Sequence, residues 1–547
     1  MKRAAAALIL FFSATLAFAD GTATYVVALE RTAGAMRPAA LIPDVEAAEI
    51  TEYPTLNSFA AELTAEEAAE LRRSPQVRYV ERAVDRHILG SVPQTTNATR
   101  TYFGQTIPYG IEMVHAPELW NLTRGGSINV VVVDTGVDYR HDDLAAVYIG
   151  GYNAIAKTDD PLDDNGHGTH VAGTIAAADN DFGVVGVAPQ VRLWAIKALK
   201  DDGHGSTAEI IAAVDWIIQK KRSLGGAWVV NLSLGSNEAN TAEQEAFQRA
   251  FEEGLLVFAA SGNDSELFSP APVSYPAAYA GVLAIGAISE SRAIANFSNQ
   301  GPQIALVAPG VRVLSTARPG STVGAVRTPA TEIAGRGITG SPKTTVSGKV
   351  VFCGNGAAAG DFPAAVAGNI ALIERGGDLS LNQRTRNAKT AGATAVIIFN
   401  NTGGAVDWTF LIDSDPGAAT FDWPLSIGLT KEDGDALRRE ENAMITVTYR
   451  DDPYVQRNGT SMATPHAAGV AALVWSFVPS APAAVVSRAL LDAASDLGDS
   501  GFDHAFGYGV VDALAAAKLL APNAFTNPTA PDPTVPSGRR VLRRGRG

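Results

Sequence analysis

The chain has 547 residues, too many for one ordinary core, so two or more compact units are expected. Hydrophobic residues make up 46% and charged residues 18%, a balance that excludes a chain without a packed core. The formal net charge of −14 argues against nucleic acid or an anionic membrane surface as the main partner.

In chain order, Lys2 and Arg3 precede an apolar run over residues 4–16 and the small-x-small pattern Ala17-Phe18-Ala19. This is the layout of a signal peptide, and the run falls short of the ~20 apolar residues that a membrane helix needs. Export is expected, to the medium or to a periplasm, with no membrane span. Residues 24–82 read as a small αβ unit. Strands are expected at 25–29, 58–63 and 77–81, with a helix after Thr64, whose capping box Glu67 completes. Residues 89–103 are polar and Thr-rich without periodicity, and read as an exposed linker.

From Gln105 onward strands and helices alternate. Strands are expected at 128–134, 191–199, 228–232, 255–260 and 282–287, and helices at 208–221 and 243–253. The strands are rich in Val, Ile and Leu with no polar face, which predicts an α/β fold: a parallel sheet covered by helices on both faces. The alternation breaks after Ala308-Pro309-Gly310 and resumes near Asp451. Cys353 is the single cysteine, so no disulfide within the chain is available, and in Val350-Val351-Phe352-Cys353 it reads as a small buried hydrophobe. The tail from Pro522 is rich in Pro and Thr, ends in a basic cluster, and reads as disordered.

Three motifs carry chemistry. A serine hydroxyl is a weak nucleophile near neutral pH and needs a base, itself oriented by a third group. Ser461 stands in Asn458-Gly459-Thr460-Ser461-Met462-Ala463-Thr464-Pro465-His466, ahead of an Ala-rich helix. Free N–H groups and the dipole of that helix favour developing negative charge, and the N–H of Ser461 itself is one oxyanion donor. Asp134 ends the apolar run Ile128-Asn129-Val130-Val131-Val132-Val133, and His167 opens His167-Gly168-Thr169-His170. A buried carboxylate needs a strong partner, and the imidazole N–H of His167 is one. His170 shares a helix face with His167, but the His-Glu-x-x-His pattern of zinc peptidases is absent, so it reads as a packed residue.

In order and flanking residues, these motifs resemble those of the subtilisin-like serine proteases, and the resemblance extends over most of the chain. It implies a secreted endopeptidase acting through an acyl-enzyme, with Asp134 as orienting group, His167 as base and Ser461 as nucleophile. The second oxyanion donor it implies is Asn263, in Ala259-Ala260-Ser261-Gly262-Asn263-Asp264. Backbone rails for an extended polypeptide substrate are implied at Gly203-His204-Gly205 and Ser233-Leu234-Gly235, with Ala260, Ser261 and Gly262 as further substrate-binding residues. A cis-prolyl turn is implied at Tyr275-Pro276, next to Ser274, where many relatives have glycine.

The same resemblance implies a structural Ca²⁺ on oxygen ligands from Gln105, Asp143, Ala178, Asn180, Phe182 and Val184, and no catalytic cofactor. Residues 20–103 would be an inhibitory propeptide with its processing linker. Residues 104–316 and 452–521 would be two parts of one peptidase domain, active as a monomer. Between them, residues 317–451 resemble a protease-associated insertion in the order of Gly348-Lys349-Val350-Val351-Phe352, Asn369-Ile370-Ala371-Leu372-Ile373-Glu374-Arg375-Gly376-Gly377 and Ala395-Val396-Ile397-Ile398-Phe399. A catalytically silent peptide-binding relative is the alternative. Its signature would be loss of a triad member, and none is lost.

Overall fold

A computed structural model describes residues 21–30, 38–42, 49–89, 104–265, 270–338, 340–377, 379–402 and 420–526. The expected signal peptide, the linker beyond Leu89 and the basic tail lie outside the described residues. The chain divides into two units, Met1–Ala83 and Val84–Gly547.

The first unit holds β1 (Ala23–Leu29), β2 (Thr51–Tyr53), β3 (Ser58–Leu63), α1 (Ala65–Leu71) and β4 (Val77–Arg82). Its antiparallel sheet runs β2-β3-β1-β4, and Val27, Phe59, Leu63 and Val80 close on Ala68 and Leu71 of the helix. The expected capping box is present: Thr64 Oγ1 accepts from Glu67 N at 3.2 Å, and Glu67 Oε2 accepts from Thr64 N at 2.7 Å.

The second unit opens with β5 (Asp85–Ile88) and the short α2 (Tyr109–Met113). There follow β6 (Asn129–Asp134), β7 (Tyr148–Asn153), α3 (His167–Ala176), β8 (Arg192–Lys197), β9 (His204–Ser206), α4 (Thr207–Leu224), β10 (Trp228–Leu232) and β11 (Leu234–Gly235). Next come α5 (Thr241–Glu252), β12 (Leu256–Ala260), β13 (Val282–Ile288) and β14 (Ile304–Pro309). Seven strands form one sheet in the order β14-β13-β12-β10-β6-β8-β7, each pair parallel. Every residue of β6, β10 and β12 is buried, as expected for strands covered on both faces. The edge strands β7 and β14 went unread in the sequence. In β7 the pair Gly150-Gly151 dilutes the apolar signal, and β14 ends in a proline, which only an edge position tolerates.

The insertion is held at its neck by β15 (Val313–Thr316), paired antiparallel with a strand that follows it in the chain. Between these lie β16 (Thr322–Arg327), β17 (Glu332–Gly337), β18 (Thr345–Phe352), β19 (Ile370–Glu374), α6 (Leu381–Thr390), β20 (Ala395–Phe399), β21 (Leu425–Leu429), α7 (Lys431–Arg439) and β22 (Met444–Asp451). Their strands close into a barrel, β16-β17-β21-β20-β19-β18-β22. The pleat divides β19 and β20 between two cores, with Ile370, Leu372, Ile397 and Phe399 in one and Ala371, Ile373, Val396 and Ile398 in the other. Cys353 is buried in the second of these cores and its thiol is pushed up to about 12 by burial, as suits an inert packing residue.

The neck partner is β23 (Tyr454–Arg457), followed by α8 (Thr460–Trp475), α9 (Ala483–Asp492), α10 (Ala513–Leu520) and α11 (Asn523–Thr526). The expectation of disorder from Pro522 is corrected at its start. Asn523–Thr526 form a helical turn, and the Phe525 ring lies 5.7 Å from that of Phe477.

Candidate active site

Asp134 closes β6 with its carboxylate fully buried. Its Oδ1 accepts from Thr135 N at 2.7 Å and lies 2.8 Å from Nδ1 of His167, the first residue of α3, which is equally buried. This approach requires glycine at 168. A Cβ there would stand 2.0 Å from the Gly136 carbonyl oxygen and 3.0 Å from Asp134 Cβ.

Asp163, which the sequence reading passed over, orders the turn into α3. Its Oδ1 accepts from Thr135 Oγ1, Asn165 N and Gly166 N, and its Oδ2 from the N–H and hydroxyl of Thr169. In Asp163-Asp164-Asn165-Gly166 an aspartate is a common turn residue, so nothing local marked it. His170 packs as expected. It is buried, with Nε2 3.0 and 3.1 Å from the carbonyls of Val313 and Val455, and burial holds its pKa well below the usual histidine range.

Ser461 lies in the first turn of α8, a helix buried along its whole length. Pro465 has no N–H to offer the Ser461 carbonyl, and Ser233 Oγ donates to that oxygen instead at 2.8 Å. In return Ser461 Oγ donates to Ser233 O at 2.8 Å. His167 Nε2 is buried with no hydrogen-bond partner among the described residues.

The cleft is filled by the chain's own β5, which was not expected as a strand. It runs antiparallel between β9 and β11, with Ile88 opposite Leu234 and His87 opposite Gly235 and His204. Ile88 N donates to Gly203 O at 3.0 Å and Leu89 N to Ser233 O at 3.4 Å. Both expected rails therefore hold an extended strand, and Gly203 is needed beside it: φ is +85°, and a Cβ would press on the Ile88 side chain at 3.0 Å. At Ala260-Ser261-Gly262 the backbone N–H groups turn elsewhere. Gly262 N donates to Thr460 Oγ1 and Ser261 N to Ile285 O, so neither N–H reaches the strand.

Leu89, expected as exposed linker, is instead buried at the end of this strand. Its carbonyl oxygen accepts from Ser461 N at 3.3 Å and from Asn263 Nδ2 at 2.5 Å, the two expected oxyanion donors. Beside the cleft, Tyr275-Pro276 is cis, and Ser274 is buried with its hydroxyl 3.1 Å from Asn237 Oδ1.

The six residues expected around a cation form one loop cluster. Ala178 O, Val184 O and Asn180 Oδ1 all point at the Gln105 amide, whose Nε2 lies 2.5, 3.2 and 3.4 Å from them. Asp143 is buried beneath the loop, where burial raises its pKa. Both its oxygens are engaged, by Asn180 Nδ2 at 2.9 Å and Val184 N at 3.0 Å. Phe182 meets the cluster through its N–H, which donates to Asn180 Oδ1 at 3.1 Å. Three converging oxygens over a buried carboxylate are of the kind that suits a hard cation.

The Subtilase family profile matches residues 125–335 and 321–509, and the Peptidase inhibitor I9 profile matches residues 39–88. Subtilisin E of Bacillus subtilis (strain 168) is 36% identical over 306 residues, 55% of this chain and 74% of that protein. The Minor extracellular protease Epr of the same organism is 35% identical over 280 residues, 50% of this chain and 41% of that protein. A solved structure of the psychrophilic subtilisin-like protease Apa1, from the Antarctic psychrotroph Pseudoalteromonas sp. AS-11, superposes with a TM-score of 0.54 at 29% identity, covering 77% of this chain and 99% of that one. The chain belongs to the subtilase family and is a serine endopeptidase that carries an I9 propeptide inhibitor domain.

Proposed function

We propose that the chain is an exported, self-processing zymogen whose first substrate is its own Leu89–Gly90 bond. The observation that carries this reading is the Leu89 carbonyl, held by Ser461 N and Asn263 Nδ2 at the end of a strand that fills the groove. His167, oriented by Asp134, takes the proton of Ser461 Oγ as that oxygen attacks the carbonyl carbon. The two donors receive the oxyanion as it forms, where a preorganised site lowers the barrier most. The imidazolium then protonates the leaving amine, and water hydrolyses the acyl-enzyme in a second passage through the same groups. The present bond from Ser461 Oγ to Ser233 O is a resting arrangement, since catalytic hydrogen bonds often form only once reaction begins.

Residues 317–451 act in this reading as a protease-associated insertion that modulates substrate access, because both its ends meet at the β15–β23 neck and the triad lies outside it. The Gln105–Val184 cluster takes a calcium ion. Gln105 Oε1, Asn180 Oδ1, the Asp143 carboxylate and the carbonyls of Ala178, Phe182 and Val184 are its ligands, and the ion contributes stability rather than chemistry. Export rests on the signal-peptide pattern, with a relative that is named as extracellular. No helix among the described residues is long and apolar enough to cross a membrane.

The test is to express the parent and Ser461→Ala in a protease-deficient host and sequence their N-termini. The parent should give a product beginning at Gly90, and Ser461→Ala should remain uncut from Asp20 onward. Normal maturation of Ser461→Ala would refute self-processing, and a parent product beginning elsewhere would refute the assigned bond.

A further inference from the structure

Arg86 is wholly buried three residues before Leu89, and its guanidinium has five N–H donors, all of them engaged. Nε donates to Glu243 Oε1 at 3.0 Å and Nη2 to Glu243 Oε2 at 2.6 Å, the fork-to-fork geometry of a bidentate pair. Nη2 also donates to Glu238 O at 3.0 Å, and Nη1 to Ser236 Oγ at 2.6 Å and Asp85 O at 2.9 Å. Four of these five bonds end on the stretch from Ser236 to Glu243, which belongs to the catalytic body. Glu243 is as buried as its partner.

Glu243 sits in the first turn of α5, and a glutamate there often reaches back to the N–H of the capping residue. Here the cap is Asn240, whose N–H donates to Tyr279 Oη at 2.8 Å, while both oxygens of Glu243 face Arg86. The helix N-terminus favours the ionised carboxylate in this buried place.

When β5 leaves, Arg86 goes with it and the acceptors stay behind. We propose that Ser236, Glu238 and Glu243 form a guanidinium socket that makes the mature enzyme select arginine at the fourth residue on the N-terminal side of the bond it cuts. The inference rests on Leu89–Gly90 being the processed bond, for which Arg86 is that fourth residue. Arginine returns a fixed fork to the carboxylate, while lysine offers a single point charge and an uncharged isostere leaves a buried anion without its cation.

The experiment uses mature enzyme and chromogenic peptides that end in Ile-Leu, with arginine, lysine or citrulline at the fourth position. Arginine should exceed citrulline at least ~30-fold in kcat/KM and exceed lysine ~10-fold, given what a buried carboxylate loses when its guanidinium is removed. Glu243→Gln should bring the arginine-to-citrulline ratio to within ~3-fold. A parent ratio near one, or an unchanged ratio in Glu243→Gln, would overturn the socket. If Glu243→Gln does not mature, the three-way comparison in the parent decides alone. Failure to cut any peptide would count against the peptidase assignment of the site, whereas cutting all three equally would count against the socket only.

Discussion

The carboxamide oxygen of Asn263 accepts from both the N–H and the hydroxyl of Thr460 at 2.9 Å, so the amide has one orientation and its NH₂ faces the cleft. Replacing Asn263 with Ala should therefore remove a donor that arrives ready-aimed. With a small peptide substrate, kcat should fall ~10²- to 10³-fold, the usual cost of one oxyanion donor, with KM nearly unchanged. A loss confined to KM would mean that the side chain holds the ground state instead. The expectations for Asp134, His167, Ser461 and Asn263 come from short runs whose neighbours are as informative as the residue itself. Arg86 and Glu243 were not, being 157 residues apart, with a pairing that exists only once β5 lies against α5. Asp163 escaped for the opposite reason, since all its partners but Thr135 are local and look like those of any turn.

Among elements, the capping box at Thr64 and the central strands of the sheet were readable because propensity, pattern and burial agree there. The polar run Asp85-Arg86-His87-Ile88 has no such agreement. It is a strand because two edges, β9 and β11, flank it, and an edge imposes extension on whatever backbone it pairs with. The loop under the proposed calcium ion is set by a glycine. Gly183 has φ +57°, and a Cβ on it would meet Tyr454 Oη at 1.9 Å, so the carbonyls on either side are fixed in direction. A ligand bound only by the folded state raises stability with its concentration. Chelation should lower the melting temperature of the mature enzyme, and Gln105→Ala should shrink the difference between chelator and millimolar calcium. Identical melting curves in the two conditions would remove the ion from the account.

For the whole molecule, acid is the informative perturbation. His466 is buried in α8, with Nδ1 2.8 Å from the Met462 carbonyl, and burial lowers its pKa to about 4. The folded chain refuses a proton that the unfolded chain accepts below about 6.5. Stability is therefore complete above that pH and is lost as pH falls toward 4, where His466 alone accounts for ~3 kcal/mol. His170 shifts in the same direction and adds to the loss. Melting of the full-length Ser461→Ala chain should drop steadily between pH 6.5 and 4.5, and His466→Asn should flatten the decline. Parallel curves would assign the acid sensitivity to other groups. The same helix bears on how the protein is made. α8 covers β10, β12, β13 and β14, yet the ribosome delivers it only after the entire inserted barrel. Throughout that interval α3 can lie against β6, but β10, β12, β13 and β14 lack the helix that covers them, a greasy intermediate of the kind that aggregates. Folding of the catalytic body is thus a late event in synthesis, and a chain that stops short of Trp475 has a sheet it cannot keep dry.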